Sequence, residues 1–119
     1  MKKTFSELCA EAKKQIAECS VDDVKKMKEN NEEFSLVDIR EDNEFEDAHI
    51  KGAKHIGRGI LERDIHIHVA GHDKKIVLYC GGGFRSALAA ESLQKMGYTN
   101  VISMDGGWKE WNRTGGETE

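Results

Sequence analysis

Residues 75–96, KIVLYCGGGFRSALAAESLQKM, consist of an apolar run ending at Cys80, a loop of three glycines and a segment with apolar residues at helical spacing. This order predicts a strand, a tight loop and a helix. Glycine reaches conformations that larger residues resist, so successive N–H groups of such a loop can point inward at an anion. The positive end of the helix dipole points at the same place, and both effects favour a thiolate. We therefore predict that Cys80 is a nucleophile.

Arg85 closes the glycine loop, because four residues separate it from Cys80. Its guanidinium is a planar fork of hydrogen-bond donors. Two roles fit this position, and the sequence leaves both open. Arg85 either holds the loop carbonyls in place or binds an anionic substrate.

The sequence CGGGFRS of residues 80–86 resembles the active-site loop of the rhodanese-like sulfurtransferases. In that family the cysteine takes a sulfane sulfur from a donor, holds it as a persulfide and passes it to a thiol or cyanide. The resemblance implies that Cys80 and Arg85 are catalytic, that no metal or organic cofactor is needed, and that the partners are a small-molecule donor or a protein persulfide. It also implies substrate contacts from the rest of the loop, namely Gly81, Gly82, Gly83, Phe84 and Ser86.

Two further blocks resemble the same family, in the same order along the chain. Residues 37–55, VDIREDNEFEDAHIKGAKH, contain a D-x-R pair at Asp38 and Arg40, and Lys51 stands where the family usually has proline. Residues 98–111, YTNVISMDGGWKEW, resemble the usual end of such a domain. A single C-x4-R ring is a weak signal, but three blocks in order are specific.

Three polar residues, Asp38, Arg40 and Arg58, are candidates for supporting the site. Asp38 lies in the apolar run of residues 35–39, which predicts a buried parallel strand. Ligands bind at the carboxyl ends of strands in open α/β sheets, where Cys80 also lies, so Asp38 could support the loop. The simpler interpretation is that Asp38 caps the next turn. Arg58 is a candidate contact near the loop, and a surface ion pair explains it equally well.

Predicted strands alternate with predicted helices, which indicates an α/β domain with a parallel sheet of four to five strands flanked by helices on both faces. The helix after the glycine loop is expected to make a right-handed crossover. We expect an N-terminal amphipathic helix in residues 1–15, a rhodanese-like domain in residues 16–112 and a flexible tail in residues 113–119.

Composition and length bear on the number of domains, the classes of partner and the cellular compartment. With 119 residues and 38% hydrophobic content, the chain is expected to form one domain. A net charge of −4 disfavours nucleic acid and anionic membranes as partners. The absence of a long apolar run and of a secretory signal, together with three cysteines in different contexts, predicts a cytoplasmic protein. Cys9 and Cys19 fit buried positions, with a resolving role left open.

Residues 64–72, DIHIHVAGH, alternate aliphatic residues with His66 and His68. Alternation predicts a strand with both histidines on one face, where they could bind a metal together with His72 or His49. The segment offers no cysteine or carboxylate at ligand spacing. The solvated face of an exposed strand is therefore the simpler interpretation, and no metal site is predicted.

Two alternatives to sulfur transfer remain. A small phosphatase or arsenate-reductase-like enzyme would also use a Cys-to-Arg anion loop, but typically one residue longer, to enclose a tetrahedral oxyanion. A sulfide-sensing module without turnover would usually lack the cysteine, whereas this chain has both Cys80 and Arg85. Apart from Arg85 the loop is uncharged, so a persulfide donor is as plausible as thiosulfate.

Overall fold

The structure is a computed structural model that describes residues 2–119, and its strands form one parallel sheet. The five strands are β1 (Ala17–Cys19), β2 (Ser35–Asp38), β3 (Lys54–His55), β4 (Ile76–Tyr79) and β5 (Val101–Met104). Their order across the sheet is β1-β5-β4-β2-β3. The predicted α/β class and parallel sheet are confirmed.

Helices cover both faces of the sheet, as the alternation along the chain predicts. They are α1 (Phe5–Gln15), α2 (Val21–Glu29), α3 (Asp42–Asp47), α4 (Leu61–His68), α5 (Phe84–Lys95) and α6 (Gly107–Arg113), with a 3-10 turn at Arg58–Ile60. Apolar residues of α4 and α5 belong to one core, and those of α2 and α6 belong to the other. Within residues 2–119, no helix has the length and apolar character needed to cross a bilayer.

Strand β4 is the centre of the sheet and lies between β2 and β5. Ile76 and Leu78 face one core, Val77 and Tyr79 face the other, and all four are fully buried. Burial on both faces explains why this strand is uninterruptedly apolar. The strand delivers Cys80 to the carboxyl edge of the sheet.

Helix α1 packs against α5, the helix that follows the glycine loop. It begins at a capping box, in which the Thr4 hydroxyl accepts from the Glu7 N–H and the Glu7 carboxylate accepts from the Thr4 N–H. Cys9 and Ala12 are its buried residues. The first helix is therefore packed on the rest of the chain.

The strand predicted for residues 64–72 is wrong, because α4 occupies Leu61–His68. Leu61 and Ile65, which are four residues apart, are fully buried, whereas Ile67 is exposed. This spacing of buried residues follows the helical period. His66 and His68 are two residues apart and therefore do not share a helix face.

The flexible tail expected in residues 113–119 also differs from the structure. Thr118 forms an antiparallel bridge with Ile50, and the backbone of Glu119 exchanges two hydrogen bonds with that of His49. The Trp111 indole N–H donates to the Glu117 carbonyl oxygen over 3.0 Å. The tail is polar, and composition alone therefore predicts fraying. Its backbone partners lie far away in the sequence, where composition cannot indicate them.

Candidate active site

The Cys80 thiol lies inside the loop that connects β4 to α5, and only 2% of the residue is exposed. The backbone N–H groups of Gly83 and Ser86 donate to its Sγ atom over 3.1 and 3.4 Å. Gly83 precedes the first residue of α5 and has a left-handed φ of 94°, which glycine adopts without strain. Ser86 lies in the first turn of α5, where N–H groups lack partners within the helix. The loop therefore forms an anion-binding cradle around the sulfur.

A pair of buried, hydrogen-bonded hydroxyls begins beside the thiol. The Ser86 hydroxyl lies 3.5 Å from the Cys80 Sγ and 2.8 Å from the Ser103 hydroxyl, and both serines are fully buried. When Ser103 donates to Ser86, the Ser86 hydroxyl is free to donate to a thiolate. Sequence reasoning missed Ser103; its signal was a lone polar residue within the buried strand β5.

The pKa of Cys80 lies below the ordinary value of a cysteine thiol. Burial has the largest effect and raises the pKa, because it disfavours the charged form. The hydrogen bonds from the Ser86 hydroxyl and from the N–H groups of Ser86, Gly83 and Gly82 together outweigh burial. Residues 2–119 supply no such donors to Cys9 or Cys19, and burial raises the pKa of Cys19 to about 11. The cradle thus favours the thiolate at Cys80.

The carbonyls on the outside of the loop are bound by α6. The Trp108 N–H donates to the Cys80 carbonyl oxygen over 2.8 Å, and the Lys109 N–H donates to the Gly81 carbonyl oxygen over 3.0 Å. The C=O and N–H of a trans peptide point in opposite directions, so these bonds turn the next N–H groups away from α6. A Cβ atom at Gly107 would collide with the Cys80 carbonyl oxygen. The close approach of α6 therefore requires glycine at this position.

Arg85 does not hold these carbonyls, since the backbone of α6 already does so. Its guanidinium lies at the rim of the loop, with Nη1 3.7 Å from the Glu41 Oε1, and the side chain is 40% exposed. The neighbouring Phe84 is also exposed, and the Lys13 ammonium lies 5.1 Å from the centre of its ring. Of the two predicted roles for Arg85, holding the loop carbonyls is thus not seen, and contact with an incoming anion stays a prediction.

Asp38 and Arg40 form a buried ion pair behind the cradle. The Arg40 Nη2 donates to the Asp38 Oδ2 over 2.8 Å, and the Arg40 N–H donates to the Asp38 Oδ1 over 2.9 Å. The predicted turn-capping role of Asp38 is therefore confirmed. The Arg40 guanidinium carbon lies 4.6 Å from the centre of the Trp108 ring. The pair thus reaches the loop indirectly, through the residue that binds the Cys80 carbonyl.

The hydrogen-bond partners of the Arg58 side chain lie outside the Cys80 loop. Its Nη1 donates to the Glu62 carboxylate over 2.8 Å, and its Nη2 lies 3.4 Å from the Ser92 hydroxyl. Among residues 2–119, the guanidinium makes no hydrogen bond to residues 80–86. The structure therefore shows Arg58 in an ion pair with Glu62, which is the alternative to a contact with the loop.

Comparison with known proteins agrees with this geometry. The family model of the rhodanese-like domain matches residues 20–114, which include the strand, the loop and the α6 turn described above. The chain therefore belongs to the rhodanese-like family.

The relatives point to sulfur chemistry. The putative sulfur carrier protein YrkF of Bacillus subtilis is 33% identical over 104 residues, which cover 87% of this chain and 54% of that protein. The thiosulfate sulfurtransferase GlpE of Shewanella oneidensis is 36% identical over 77 residues, which cover 65% of this chain and 74% of that protein. The matched residues span only 54% of YrkF and 59% of another Bacillus subtilis relative, the protein YqhL.

The description of one similar solved structure suggests a different reaction. A protein of unknown function from Rhodopseudomonas palustris, described as a possible tyrosine phosphatase, superposes with a TM-score of 0.87 and 33% identity. The superposition covers 100% of this chain and 96% of that one. A shared fold does not fix the reaction, so the two chemistries have to be separated at the loop itself.

Proposed function

We propose that the protein is a sulfurtransferase that moves a sulfane sulfur from thiosulfate or a persulfide donor to a thiol or cyanide. The observation that carries the proposal is the position of the Cys80 Sγ, which accepts backbone N–H groups of Gly83 and Ser86 inside a buried loop. Donors fixed in advance stabilise a sulfur anion without reorganising during the reaction. We place the persulfide anion that replaces the thiolate in the same cradle, with its outer, charged sulfur beyond the Sγ atom.

The proposed reaction has two half-reactions. The Cys80 thiolate attacks the outer sulfur of thiosulfate, the S–S bond of the donor breaks, and its electron pair leaves with sulfite. The enzyme then holds Cys80–S–S⁻, a covalent intermediate. An acceptor thiolate or cyanide attacks the outer sulfur, gives a new persulfide or thiocyanate, and returns the Cys80 thiolate. These steps need no cofactor and predict ping-pong kinetics.

The rest of the loop supports this proposal in two ways. A Cβ atom at Gly81 would meet nothing within 4 Å, so the missing side chain leaves space beside the cradle. Phe84 offers an exposed apolar surface at the rim. We assign Gly81, Gly82, Gly83, Phe84 and Ser86 to substrate binding and Arg85 to the rim, where an anionic donor would arrive. A protein persulfide is a candidate donor because one relative is named a putative sulfur carrier.

Intact-protein mass spectrometry tests the proposal. Wild-type protein treated with thiosulfate, or with glutathione persulfide, is expected to gain one sulfur atom and to lose it on addition of cyanide. Cys80→Ser should gain none. Cys19→Ser removes another buried thiol and should still gain the sulfur. Failure of the wild type to gain sulfur from either donor, or an equal gain by Cys80→Ser, would overturn the proposal.

A phosphatase is the second candidate, because the superposed Rhodopseudomonas palustris protein is described as a possible one. The loop of this chain has four residues between Cys80 and Arg85, and the related phosphatase loops typically have five. Parallel assays with para-nitrophenyl phosphate and with thiosulfate plus cyanide separate the two reactions. Phosphate hydrolysis faster than sulfur transfer would favour the phosphatase. Inserting one glycine into the loop should reduce sulfur transfer.

A further inference from the structure

The cation at the rim of the cradle faces a carboxylate. Arg85 is the only charged residue in the 80–86 loop, and its Nη1 lies 3.7 Å from the Glu41 Oε1. Glu41 directly precedes α3, and its side chain is 73% exposed. An exposed pair of this kind contributes little to folding stability. Glu41 is also the N-cap residue of α3, but the hydrogen bond from its backbone N–H to the Glu44 carboxylate does not depend on its own charge. That charge therefore acts mainly on a ligand that approaches Arg85.

A second cation that touches the loop is also paired with carboxylates. Lys13 lies over the Phe84 ring, and its ammonium is 3.0 Å from the Glu18 carboxylate and 3.2 Å from the Asp105 carboxylate. The charge of Arg85 is thus matched by one carboxylate and that of Lys13 is outnumbered by two. The mouth of the site therefore lacks the excess positive charge that would attract a dianion.

Glu41 has no part in building the cradle itself. The outer carbonyls of the loop are bound by the backbone of α6, and the neighbouring Arg40 is paired with Asp38. Removing the charge of Glu41 therefore changes the field at the mouth while leaving the donors around the sulfur in place.

We propose that Glu41 is a specificity-determining residue that disfavours doubly charged sulfur donors relative to singly charged ones. The proposal rests on the sulfurtransferase function above and concerns its donor class. A carboxylate repels a dianion such as thiosulfate with twice the energy with which it repels a monoanion at the same place. The site is thereby biased toward organic persulfides and thiosulfonates over thiosulfate.

The test compares two donors of different charge in Glu41→Gln, with cyanide as acceptor. Thiosulfate is the dianion, and benzenethiosulfonate is the monoanion. For a pair near a surface we expect kcat/KM for thiosulfate to rise about fivefold at low salt, mainly through KM, and for benzenethiosulfonate about twofold. The factor for the dianion should approach the square of the factor for the monoanion. Both gains should shrink as salt screens the charges.

Two matched variants control the comparison. Glu46→Gln removes the same charge from an exposed position on α3 that has no ion pair in the described part of the chain, and should leave the donor ratio near that of wild type. Glu41→Asp keeps the charge and should keep the ratio. An unchanged ratio in Glu41→Gln, or an equal gain for both donors, would overturn the role of Glu41 alone. Absence of sulfur transfer from both donors in the wild type would overturn the proposed function and this inference with it.

Discussion

The backbone N–H of Trp108 donates to the carbonyl oxygen of Cys80 over 2.8 Å, which ties the residue carrying the thiol to the first turn of α6. The loop therefore has two sides with different partners. The carbonyls of Cys80 and Gly81 face α6, and the N–H groups of Gly83 and Ser86 face the sulfur. Neither orientation is encoded by the glycines alone.

Gly107→Ala should disturb the cradle from outside. A methyl group there would collide with the Cys80 carbonyl oxygen, and the left-handed φ of 57° disfavours any side chain. We expect a loss of about 1–3 kcal/mol in the free energy of unfolding, measured by urea titration, and slower alkylation of Cys80 by iodoacetamide. Gly81→Ala is the control, because its methyl would meet nothing within 4 Å and should cost less than about 0.5 kcal/mol. Equal losses in both variants would contradict this account.

Ser86→Ala should raise the pKa of Cys80, because the hydroxyl and its hydrogen bond to Sγ disappear while burial remains. A hydrogen bond to a charged group contributes about 1.5–3 kcal/mol, so the alkylation rate at neutral pH should fall about tenfold. The inflection of the rate against pH should move upward. Ser103→Ala removes only the second hydroxyl and should move it less. An inflection at the wild-type pH in Ser86→Ala would refute the role of the hydroxyl.

The buried ion pair of Asp38 and Arg40 should be strongly coupled. Removing either partner leaves the other charge buried, which costs about 3–5 kcal/mol. We expect Asp38→Ala and Arg40→Ala each to lose stability of this size in urea titrations, and the double variant to lose clearly less than their sum. The exposed pair of Asp22 and Lys26 is the control, and its double-mutant cycle should give a coupling energy of no more than about 0.5 kcal/mol. Additive losses at the buried pair would show that the contact carries no coupling.

Removing residues 117–119 should destabilise the fold, although this segment reads as a frayed tail. The Trp111 indole N–H would lose its acceptor, the Glu117 carbonyl, and His49 would lose its backbone partner. A buried donor without a partner costs about 1–3 kcal/mol, measurable by urea titration. Thr118→Ala keeps the backbone pairing and should change the stability by less than about 0.5 kcal/mol. A truncated chain as stable as the wild type would mean that the pairing is weak in solution.

The features that the sequence predicts well are local. The apolar run of β4 and the glycine loop after it both depend on neighbours a few residues away, and the structure contains both of them. The helix α4 was mistaken for a strand because alternating aliphatic residues hide a buried pair at Leu61 and Ile65, four residues apart.

The features that the sequence does not predict are tertiary. Ser103 reaches the Ser86 hydroxyl only because β5 lies beside β4, and Trp108 reaches the Cys80 carbonyl only because α6 returns to the loop. The pairing of the tail with His49 joins residues about 70 positions apart, and hydrophobic periodicity in the sequence cannot predict such a contact. The site was therefore predictable as a cysteine in an anion loop, and unpredictable in what orients that loop.

The attachment of the loop to α6 has a consequence for biosynthesis. The strand and the glycines are translated well before Ser103, Trp108 and Lys109, and those later residues complete the surroundings of the sulfur. In a nascent chain that ends before β5, we expect the Cys80 thiol to have the low reactivity of an ordinary cysteine. We therefore expect full reactivity of Cys80 only after residues 103–109, near the end of the sequence, have been made, so an incomplete chain is less open to premature modification at this thiol.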